Sequence, residues 1–308
     1  MVPEKRNPNI VYIMGRGHSG TTLLNAVLGN ADPIESVGEL LSGMNRLEEM
    51  CSCGKTVNEC SFWSNVRNAS LKDLENMTWE ACARISLHYG HIFRLPAIMF
   101  RWIPPHLLRA YVRVTRSIFR AISDVSGKQF VVDSSKEFTR AMFLASRFPE
   151  ARIIHLVRNG EQVLASRYWR LKNREGFRIL RKQVPASRFL GLYLVLDSIN
   201  WVLGNLVGEA IRYVTSTRVL RVKYEDFCEY PEEVLTRISR FLKVDLSSII
   251  EKLGRGEGFA FGHTIAGNRI RFQSEIVLNP HHPMREVPKR YGLMFRIIAA
   301  PLIWLYGY

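Results

Sequence analysis

Acidic residues are scarce in this chain of 308 residues. It has 28 Asp and Glu against 43 Lys and Arg, which gives a formal net charge of +15. No acidic residue occurs from Ala81 to Ser123, and the stretch from Arg167 to Arg188 holds only Glu175. The deficit argues against cationic partners and favours an anionic one, such as a nucleotide, an acidic glycan, a nucleic acid or an anionic membrane.

The chain also lacks an apolar run at its start, internal repeats and low-complexity linkers. Met1 to Asn9 is polar and leads directly into the first apolar run, so we expect no secretory leader and a cytoplasmic location. Since no linker marks a boundary, residues 1–308 are expected to form a single domain.

One missing lysine narrows the function. The run from Val11 to Leu24 is apolar, breaks into a glycine-rich turn and resumes at helical spacing, so it predicts a strand, a loop and a helix. Glycines and the amides of a helix start form a cradle for a phosphate-sized anion. Gly15 and Gly20 have the spacing of the nucleoside triphosphate P-loop, but Thr21 stands where that motif requires Lys. Without that lysine, the sequence does not favour a kinase or an NTPase function.

A second phosphate pocket is predicted further along the chain. The segment from Ala151 to Gly160 predicts a strand that ends near Arg158, and Ser166 follows eight residues later in a predicted helix. A guanidinium grips phosphate with two hydrogen bonds, and a hydroxyl two helical turns later can close on the same group. The sequence thus predicts two separate phosphate sites.

These two motifs resemble the 5′-phosphosulfate and 3′-phosphate motifs of sulfotransferases that use 3′-phosphoadenosine 5′-phosphosulfate (PAPS). The stretch Cys51-Ser-Cys-Gly to Cys60-Ser-Phe-Trp63 resembles a segment found in a prokaryotic branch of that family. The resemblance spans residues 11–271. It implies a P-loop-like α/β fold, with a mainly parallel central sheet, helices on both faces, and helical insertions at about 80–125 and 170–215.

The resemblance also implies which residues hold the donor. The donor-binding residues are expected to be Arg16, Gly17, His18, Ser19, Gly20, Thr21, Thr22, Arg158, Ser166, Tyr224, Asn268 and Arg269. Tyr224 follows the predicted last core strand, where packing is an equally good interpretation. Asn268 and Arg269 belong to a glycine-spaced loop that is expected to fold over the 3′-phosphate.

Four residues are candidates for the chemistry. By the same resemblance, Glu39, soon after the first helix, is expected to take the acceptor proton, although a solvated or helix-capping carboxylate is the alternative. Lys136 ends a predicted strand and, with Arg16, would neutralise charge on the leaving oxygen. His18 is the second candidate for the base. The expected products are a sulfated hydroxyl, or less readily amine, and 3′-phosphoadenosine 5′-phosphate, and the reaction requires no metal.

Three of the five cysteines lie within ten residues, at Cys51, Cys53 and Cys60. They would bind zinc if a fourth ligand came from elsewhere, or Cys53 and Cys60 could pair as a disulfide, which the cytosol disfavours. The third interpretation is a lid packed by Phe62 and Trp63. The spacing matches no standard zinc motif, so no metal ligands are assigned.

A basic amphipathic helix is predicted near residues 107–122. Apolar residues recur there at helical spacing beside Arg109, Arg113, Arg116 and Arg120. Such a helix can lie on an anionic membrane, grip an acidic substrate or cover its own core.

The charge-free part of the C-terminal stretch is too short to span a bilayer. The expected partners are a glycan, lipid or small-molecule acceptor and, peripherally, an anionic membrane, but not nucleic acid.

Two rival functions remain open. A P-loop kinase acting on a small molecule would use Lys136 in place of the missing lysine and would bind magnesium ATP more tightly than a 3′-phosphorylated nucleotide. A non-catalytic module that binds membrane or nucleic acid would show salt-dependent affinity for anionic polymers or lipids and no nucleotide preference.

Overall fold

A five-stranded parallel sheet forms the centre of the molecule. The computed structural model describes residues 8–75, 77–90, 102–172, 177–179, 182–184, 186–215, 218–278 and 285–308. In spatial order the sheet is β2-β3-β1-β4-β7, and every pair of neighbours is parallel. The strands are β1 (Asn9–Met14), β2 (Ile34–Gly38), β3 (Phe130–Lys136), β4 (Arg152–Val157), β5 (Phe177–Ile179), β6 (Lys182–Val184), β7 (Val219–Lys223), β8 (Phe259–Ala260) and β9 (Glu275–Ile276).

Helices cover both faces of this sheet. They are α1 (Thr21–Gly29), α2 (Leu40–Gly43), α3 (Ser61–Asp73), α4 (Trp79–Gly90), α5 (Pro105–Ser126), α6 (Phe138–Arg147), α7 (Gly160–Lys172), α8 (Ala186–Val214), α9 (Tyr224–Glu229), α10 (Pro231–Leu242), α11 (Ser247–Gly254) and α12 (Lys289–Tyr306), with a 3-10 turn at Arg269–Phe272. The predicted α/β class, with a mainly parallel sheet between helical layers, is confirmed.

Strand β1 shows why the sequences of the central strands are unbroken apolar runs. Its side chains alternate between two cores: Tyr12 and Met14 join the cluster under α3, α5 and α6, while Val11 and Ile13 join the cluster under α1 and α10. Both faces of a parallel strand are buried, so every position favours an apolar side chain. The polar residues therefore collect where the strands end, at the carboxyl edge of the sheet.

The two stretches predicted as helical insertions differ in content. Most of α4 and of α5 lies within residues 80–125, while 91–101 lie outside the described residues. Residues 170–215 are not helical throughout, because the hairpin β5–β6 precedes α8. Three paired positions suffice for that hairpin, which is too short to produce a clear alternating pattern in the sequence.

The basic helix is α5, and its arginines partly serve its own fold. Their side chains line a groove of about 640 Å³ together with Arg147. Arg113 Nη2 donates to the carbonyl of Asp73 at 2.9 Å, and the Arg116 guanidinium lies 5.7 Å from the Phe148 ring centre. The opposite stripe, which includes Tyr111, is buried. These contacts favour the third interpretation, in which the arginines cover their own core.

Helices α8 and α12 pack together at the far edge of the sheet. Within the described residues, one helix, Phe189–Val214, is long and apolar enough to cross a membrane by length and composition. The inner sides of the two helices bury Trp201 and Phe295. Their outer sides expose a large apolar surface: Phe189, Leu192, Leu196, Ile199, Leu203, Leu206, Tyr213, Val214, Leu293, Ile297, Trp304 and Leu305.

Candidate functional site

The loop Gly15–Gly20, here called the phosphate loop, connects β1 to α1 and is tightly confined. Gly15 N donates to the carbonyl of Lys136 at 3.3 Å, and a Cβ on Gly15 would lie 2.6 Å from the carbonyl oxygen of Leu156. Gly20 has φ +87°, and a Cβ there would lie 2.2 Å from the Tyr224 ring. Both glycines are therefore required by their surroundings, and the loop is fixed between β3, β4 and α9.

The start of α1 has hydrogen-bonding groups to offer an anion. Gly20 is the N-cap residue, so no side chain caps the first amides of the helix. Ser19 is 1% exposed, and its buried hydroxyl has no partner within the described structure. Thr21 and Thr22 are buried in the first turn beside it. Free amides and an unpaired hydroxyl at a helix N-terminus fit a phosphate or sulfate group.

Arg158 and Ser166 both reach this loop. Arg158 follows β4, and its Nη1 donates to the carbonyl of His18 at 2.8 Å. Ser166, on α7, places its hydroxyl 3.0 Å from His18 Nδ1. The Arg158 guanidinium lies 4.3 Å from the centre of the Tyr224 ring, and its buried Nε has no partner within the described structure. The structure thus brings the two predicted phosphate motifs together.

Positive charge converges on His18. Burial, followed by Arg167, Arg170, Lys136 and Arg158, lowers the pKa of His18 to about 3. The imidazole is therefore neutral near pH 7, and it lies in a strongly positive field. An anion bound at this loop would be stabilised by the same field.

Arg16 is held by an acidic residue that the sequence reasoning missed. Its Nη2 lies 3.1 Å from Asp197 Oδ1, and Arg167 Nε lies 3.7 Å from Asp197 Oδ2. Asp197 belongs to α8, in the second insertion. A carboxylate within a long apolar helical run such as Leu190–Leu206 was the available signal, because a buried charge needs a partner.

Glu39 and Lys136 form an ion pair at the ends of β2 and β3. Both side chains are about one-fifth exposed. Ser42 Oγ donates to the second carboxylate oxygen of Glu39 at 3.4 Å. The predicted base and the predicted leaving-group cation therefore contact each other. Glu35, on β2, lies apart from them, with its carboxylate 4.0 Å from the ammonium group of Lys128.

The polar residues before Lys136 hold the end of β3 in place. Asp133 accepts from Arg140 Nε at 3.1 Å and from the backbone amide of Ser135 at 2.9 Å. Arg140 Nη1 donates to the Tyr111 hydroxyl, and the amide of Leu41 donates to Ser135 Oγ, each at 3.0 Å. All these groups are buried, so the network is a structural support that fixes Lys136 beside α2.

The segment Gly262–Arg271, here called the C-terminal loop, lies at the edge of β2. Ile265 bridges to Gly38, and its carbonyl accepts from the amide of Glu39 at 2.9 Å. A Cβ on Gly267 would lie 3.1 Å from Glu39 Oε1. The loop therefore forms one wall beside the Glu39 carboxylate.

Asn268 and Arg269 follow directly in this loop. The Asn268 side chain accepts from the amide of Ile270 at 3.2 Å, and Arg269 is exposed. The loop adjoins β2, whereas Arg158 follows β4, with β3 and β1 between them in the sheet. Contact of these two residues with the 3′-phosphate stays a prediction.

Tyr224 begins α9 and is buried. Its ring lies beneath Arg158 and against Gly20, which is a packing role. Burial raises the pKa of its hydroxyl, with Cys228 as the next contributor. Of the two interpretations left open by the sequence, packing is the one that these contacts favour.

One family model matches most of the chain, and solved structures share its fold. The model of the sulfotransferase family matches residues 8–248. The chain is similar to the solved sulfotransferase STF1 from Mycobacterium tuberculosis H37Rv, with 18% identity over 82% of this chain and 72% of that one, at a TM-score of 0.50. The sulfotransferase domain of the Synechococcus PCC 7002 olefin synthase gives 20% identity over 97% and 98%, at 0.49. No curated protein matches the chain.

Proposed function

The chain belongs to the sulfotransferase family, and from this premise we propose that it moves a sulfuryl group from PAPS to an acceptor hydroxyl, or less readily an amine. The observation that carries the proposal is the meeting of Arg158 and Ser166 at His18 in the phosphate loop. One nucleotide with phosphates at its 5′ and 3′ positions would engage both motifs at once.

The residues present fit PAPS. The unpaired Ser19 hydroxyl, the uncapped amides of α1 and the unpaired Nε of Arg158 are donors that need acceptors. PAPS would be held by the phosphate loop with Thr21 and Thr22, and by Arg158 and Ser166. When bound, it supplies the sulfuryl group, and its remainder leaves as 3′-phosphoadenosine 5′-phosphate.

Glu39 is the proposed base. It accepts the proton of the acceptor hydroxyl as that oxygen bonds to sulfur and the bond from sulfur to the leaving phosphate breaks. Protonation of Glu39 removes the charge that holds Lys136. The ammonium group of Lys136 is then available to the negative charge that develops on the leaving oxygen.

His18 is the weaker candidate for the base. With its pKa lowered to about 3, the imidazole has little affinity for a proton near pH 7. Its Nδ1 is also occupied by Ser166. We therefore assign His18 to the shape of the phosphate loop and the proton transfer to Glu39.

For the acceptor, we propose a molecule presented at an anionic membrane, with the protein peripheral on the cytoplasmic side. The support is the exposed apolar surface of α8 and α12, together with the exposed Lys289 and Arg290 where α12 begins. Asp197, on the same α8, contacts Arg16 in the phosphate loop. Replacing both Leu196 and Leu203 with Glu should abolish flotation with phosphatidylserine vesicles, and the wild type should bind vesicles of neutral lipid less than these anionic ones.

The donor proposal is tested by calorimetric binding of 3′-phosphoadenosine 5′-phosphate, with adenosine 5′-monophosphate as the control ligand. Binding should require the 3′-phosphate and fall by roughly 100-fold in Arg158→Ala, as expected when a charged hydrogen-bonding partner is lost. Arg152→Ala, at the other end of β4, is the matched control and should bind normally. Equal affinity for the two ligands would overturn the proposal, and tighter binding of magnesium ATP would support the kinase alternative.

A further inference from the structure

We propose that Cys51, Cys53, Cys60 and His263 bind one zinc ion, which joins the cysteine segment to the C-terminal loop. The three cysteines come from residues 51–60, and His263 comes from a position more than 200 residues later. The sequence offers the three thiols but gives no sign of the fourth ligand, which only the fold brings to them.

The four ligand atoms have the spacing of a tetrahedral site. Cys53 Sγ lies 3.6 Å from Cys60 Sγ, and His263 Nδ1 lies 3.4 Å from Cys60 Sγ and 4.0 Å from Cys51 Sγ. All four atoms lie within 4.8 Å of one another. In a zinc site with metal–sulfur bonds of about 2.3 Å, tetrahedral angles place ligand atoms about 3.5–3.8 Å apart.

A tight turn presents the first two thiols. The amide of Cys51 donates to the carbonyl of Lys55 at 2.8 Å, and the amide of Gly54 donates back to the carbonyl of Cys51 at 3.1 Å. Gly54 has φ +85°, a conformation that favours glycine. Cys60 then lies just before α3, and its position completes the thiol set.

His263 is fixed from both sides. Its ring stacks on Phe62, with ring centres 4.6 Å apart and planes within 3° of parallel. Trp63 Nε1 donates to the backbone carbonyl of His263 at 2.9 Å. Both aromatic residues lie in the first turn of α3, just after Cys60 and Ser61. Phe62 and Trp63 therefore orient the histidine toward the thiols, which gives the predicted lid packing a specific purpose.

The donor set selects zinc and a structural role. Thiolates with one imidazole suit zinc among the common divalent ions, and four protein ligands leave no open position for a substrate. A Cys53–Cys60 disulfide is the main rival. Such a disulfide would give no role to Cys51 and His263, whose side chains lie beside the same two cysteines. The sulfur atoms of Cys53 and Cys60 are also well beyond the bonded distance of about 2.05 Å.

The site would secure the wall beside Glu39. Ser52 Oγ donates to the carbonyl of Gly262 at 2.6 Å, and the amide of Thr264 donates to Ser52 Oγ at 2.9 Å. The next residue, Ile265, holds the amide of Glu39. Zinc would therefore fix the C-terminal loop two residues from the contact that positions Glu39. The proposal that zinc binds here does not rest on the proposed sulfuryl transfer. Only the effect of zinc on the position of Glu39 rests on that proposed function.

The test is metal analysis of the full chain purified under reducing conditions without added metal. We expect about one zinc per chain in the wild type and in Cys82→Ser, which alters a buried cysteine on α4 outside the cluster. Cys60→Ser and His263→Asn should retain less than about one-tenth of that zinc. Replacement by cobalt in the wild type should give the thiolate charge-transfer absorption of a tetrahedral site, a readout that does not depend on whether the variants fold.

Two outcomes would overturn the proposal. One is wild-type protein that holds no stoichiometric zinc and gives no tetrahedral cobalt spectrum. The other is a chain purified without reductant that, once denatured, has two fewer reactive thiols than the five in the sequence and yields a disulfide-linked peptide joining Cys53 to Cys60. Binding of 3′-phosphoadenosine 5′-phosphate, measured on the same preparations, should persist after zinc is removed. Failure of the zinc proposal and failure of the donor proposal are therefore distinguishable.

Discussion

The two sides of the candidate site are built in different ways. On the phosphate side, Arg158 and Ser166 come from one strand–loop–helix unit and reach the phosphate loop of the neighbouring unit. On the carboxylate side, Glu39 is held by the backbone of Ile265, from far along the chain. The phosphate side is thus complete within the sheet and its helices, while the carboxylate side needs a distant loop. Changes that displace Ile265 should therefore affect catalysis more than donor binding, whereas the predicted donor contacts of this loop lie further along, at Asn268 and Arg269.

The largest expected effect is on turnover, and it comes from replacing Glu39 on the carboxylate side. Glu39→Gln should lower kcat by roughly 10²–10⁴, the range of general-base catalysis, because the amide cannot accept the proton. Calorimetric affinity for 3′-phosphoadenosine 5′-phosphate should stay within a factor of about three, since the phosphate side is untouched. Glu35→Gln, on β2 just before Glu39, is the control and should keep near-normal turnover. A comparable loss in both variants would contradict the assignment of the base.

A second change disturbs the distant loop itself. Gly38 has φ +77°, and a Cβ there would lie 2.5 Å from the carbonyl oxygen of Ile265, so Gly38→Ala should displace the wall beside Glu39. We expect kcat to fall by roughly 10–100-fold, in keeping with a misplaced catalytic group, with donor affinity nearly unchanged.

Gly127 provides the control for that variant. It also has positive φ, +70°, but a Cβ there would meet nothing within 4 Å. Gly127→Ala therefore carries backbone strain alone, about 1 kcal/mol, without moving the C-terminal loop. Full activity in Gly38→Ala, or an equal loss in both variants, would show that the bridge to Ile265 does not position Glu39.

Acid should weaken the fold through a histidine beneath the phosphate side. His155 is buried on β4, with Nε2 3.1 Å from Asn205 Oδ1, and burial lowers its pKa from 6.5 to about 4. Below pH 6.5 the unfolded chain binds a proton that the folded chain excludes, so stability falls as pH drops toward 4. Between pH 7 and pH 5 this amounts to about 2 kcal/mol, at about 1.4 kcal/mol per pH unit.

Urea unfolding of the wild type and His155→Gln at pH 7 and pH 5 checks this prediction. The variant should lose less stability on acidification than the wild type. His106→Gln, at an exposed position near the start of α5, should behave as the wild type does. An unchanged pH dependence in His155→Gln would mean that this imidazole is already protonated in the fold.

The smallest expected effect concerns His18. His18 has φ +73°, which asparagine also tolerates, so His18→Asn should keep the loop conformation while removing the imidazole. We expect kcat to change by less than about threefold and the KM for PAPS to rise a few-fold, because Ser166 loses a partner. Steady-state kinetics with varied donor would measure both. A loss of kcat as large as that of Glu39→Gln would make His18 the base.

The phosphate side could be predicted from the sequence because each of its residues lies at a fixed distance from a recognisable strand. Gly15 to Thr22 follow β1, and Arg158 follows β4, so the parallel sheet alone brings them to one edge. The helix predicted after the glycine-rich turn is α1, Thr21–Gly29. The pairing of Glu39 with Lys136 follows from the same logic, since β2 and β3 are neighbours.

The remaining contacts could not be predicted, because no periodicity encodes them. Asp197 meets Arg16 only through the packing of α8 on the sheet, and His263 meets the cysteines only because the C-terminal loop returns to β2. The β5–β6 hairpin was missed for lack of length. Contacts between distant segments depend on tertiary packing, which a single sequence reveals only where a lone polar residue interrupts an apolar run.

Asp197 has a consequence for turnover. By pairing with Arg16 and lying close to Arg167, it acts as a resident counterion of the phosphate loop. Under the proposed function, an incoming dianion would compete with this carboxylate for the arginines, and the carboxylate would pair with them again when the spent nucleotide departs. We infer that the site gives up some affinity for the nucleotide and releases the spent one faster, so that the empty and filled states differ by an exchange of anions.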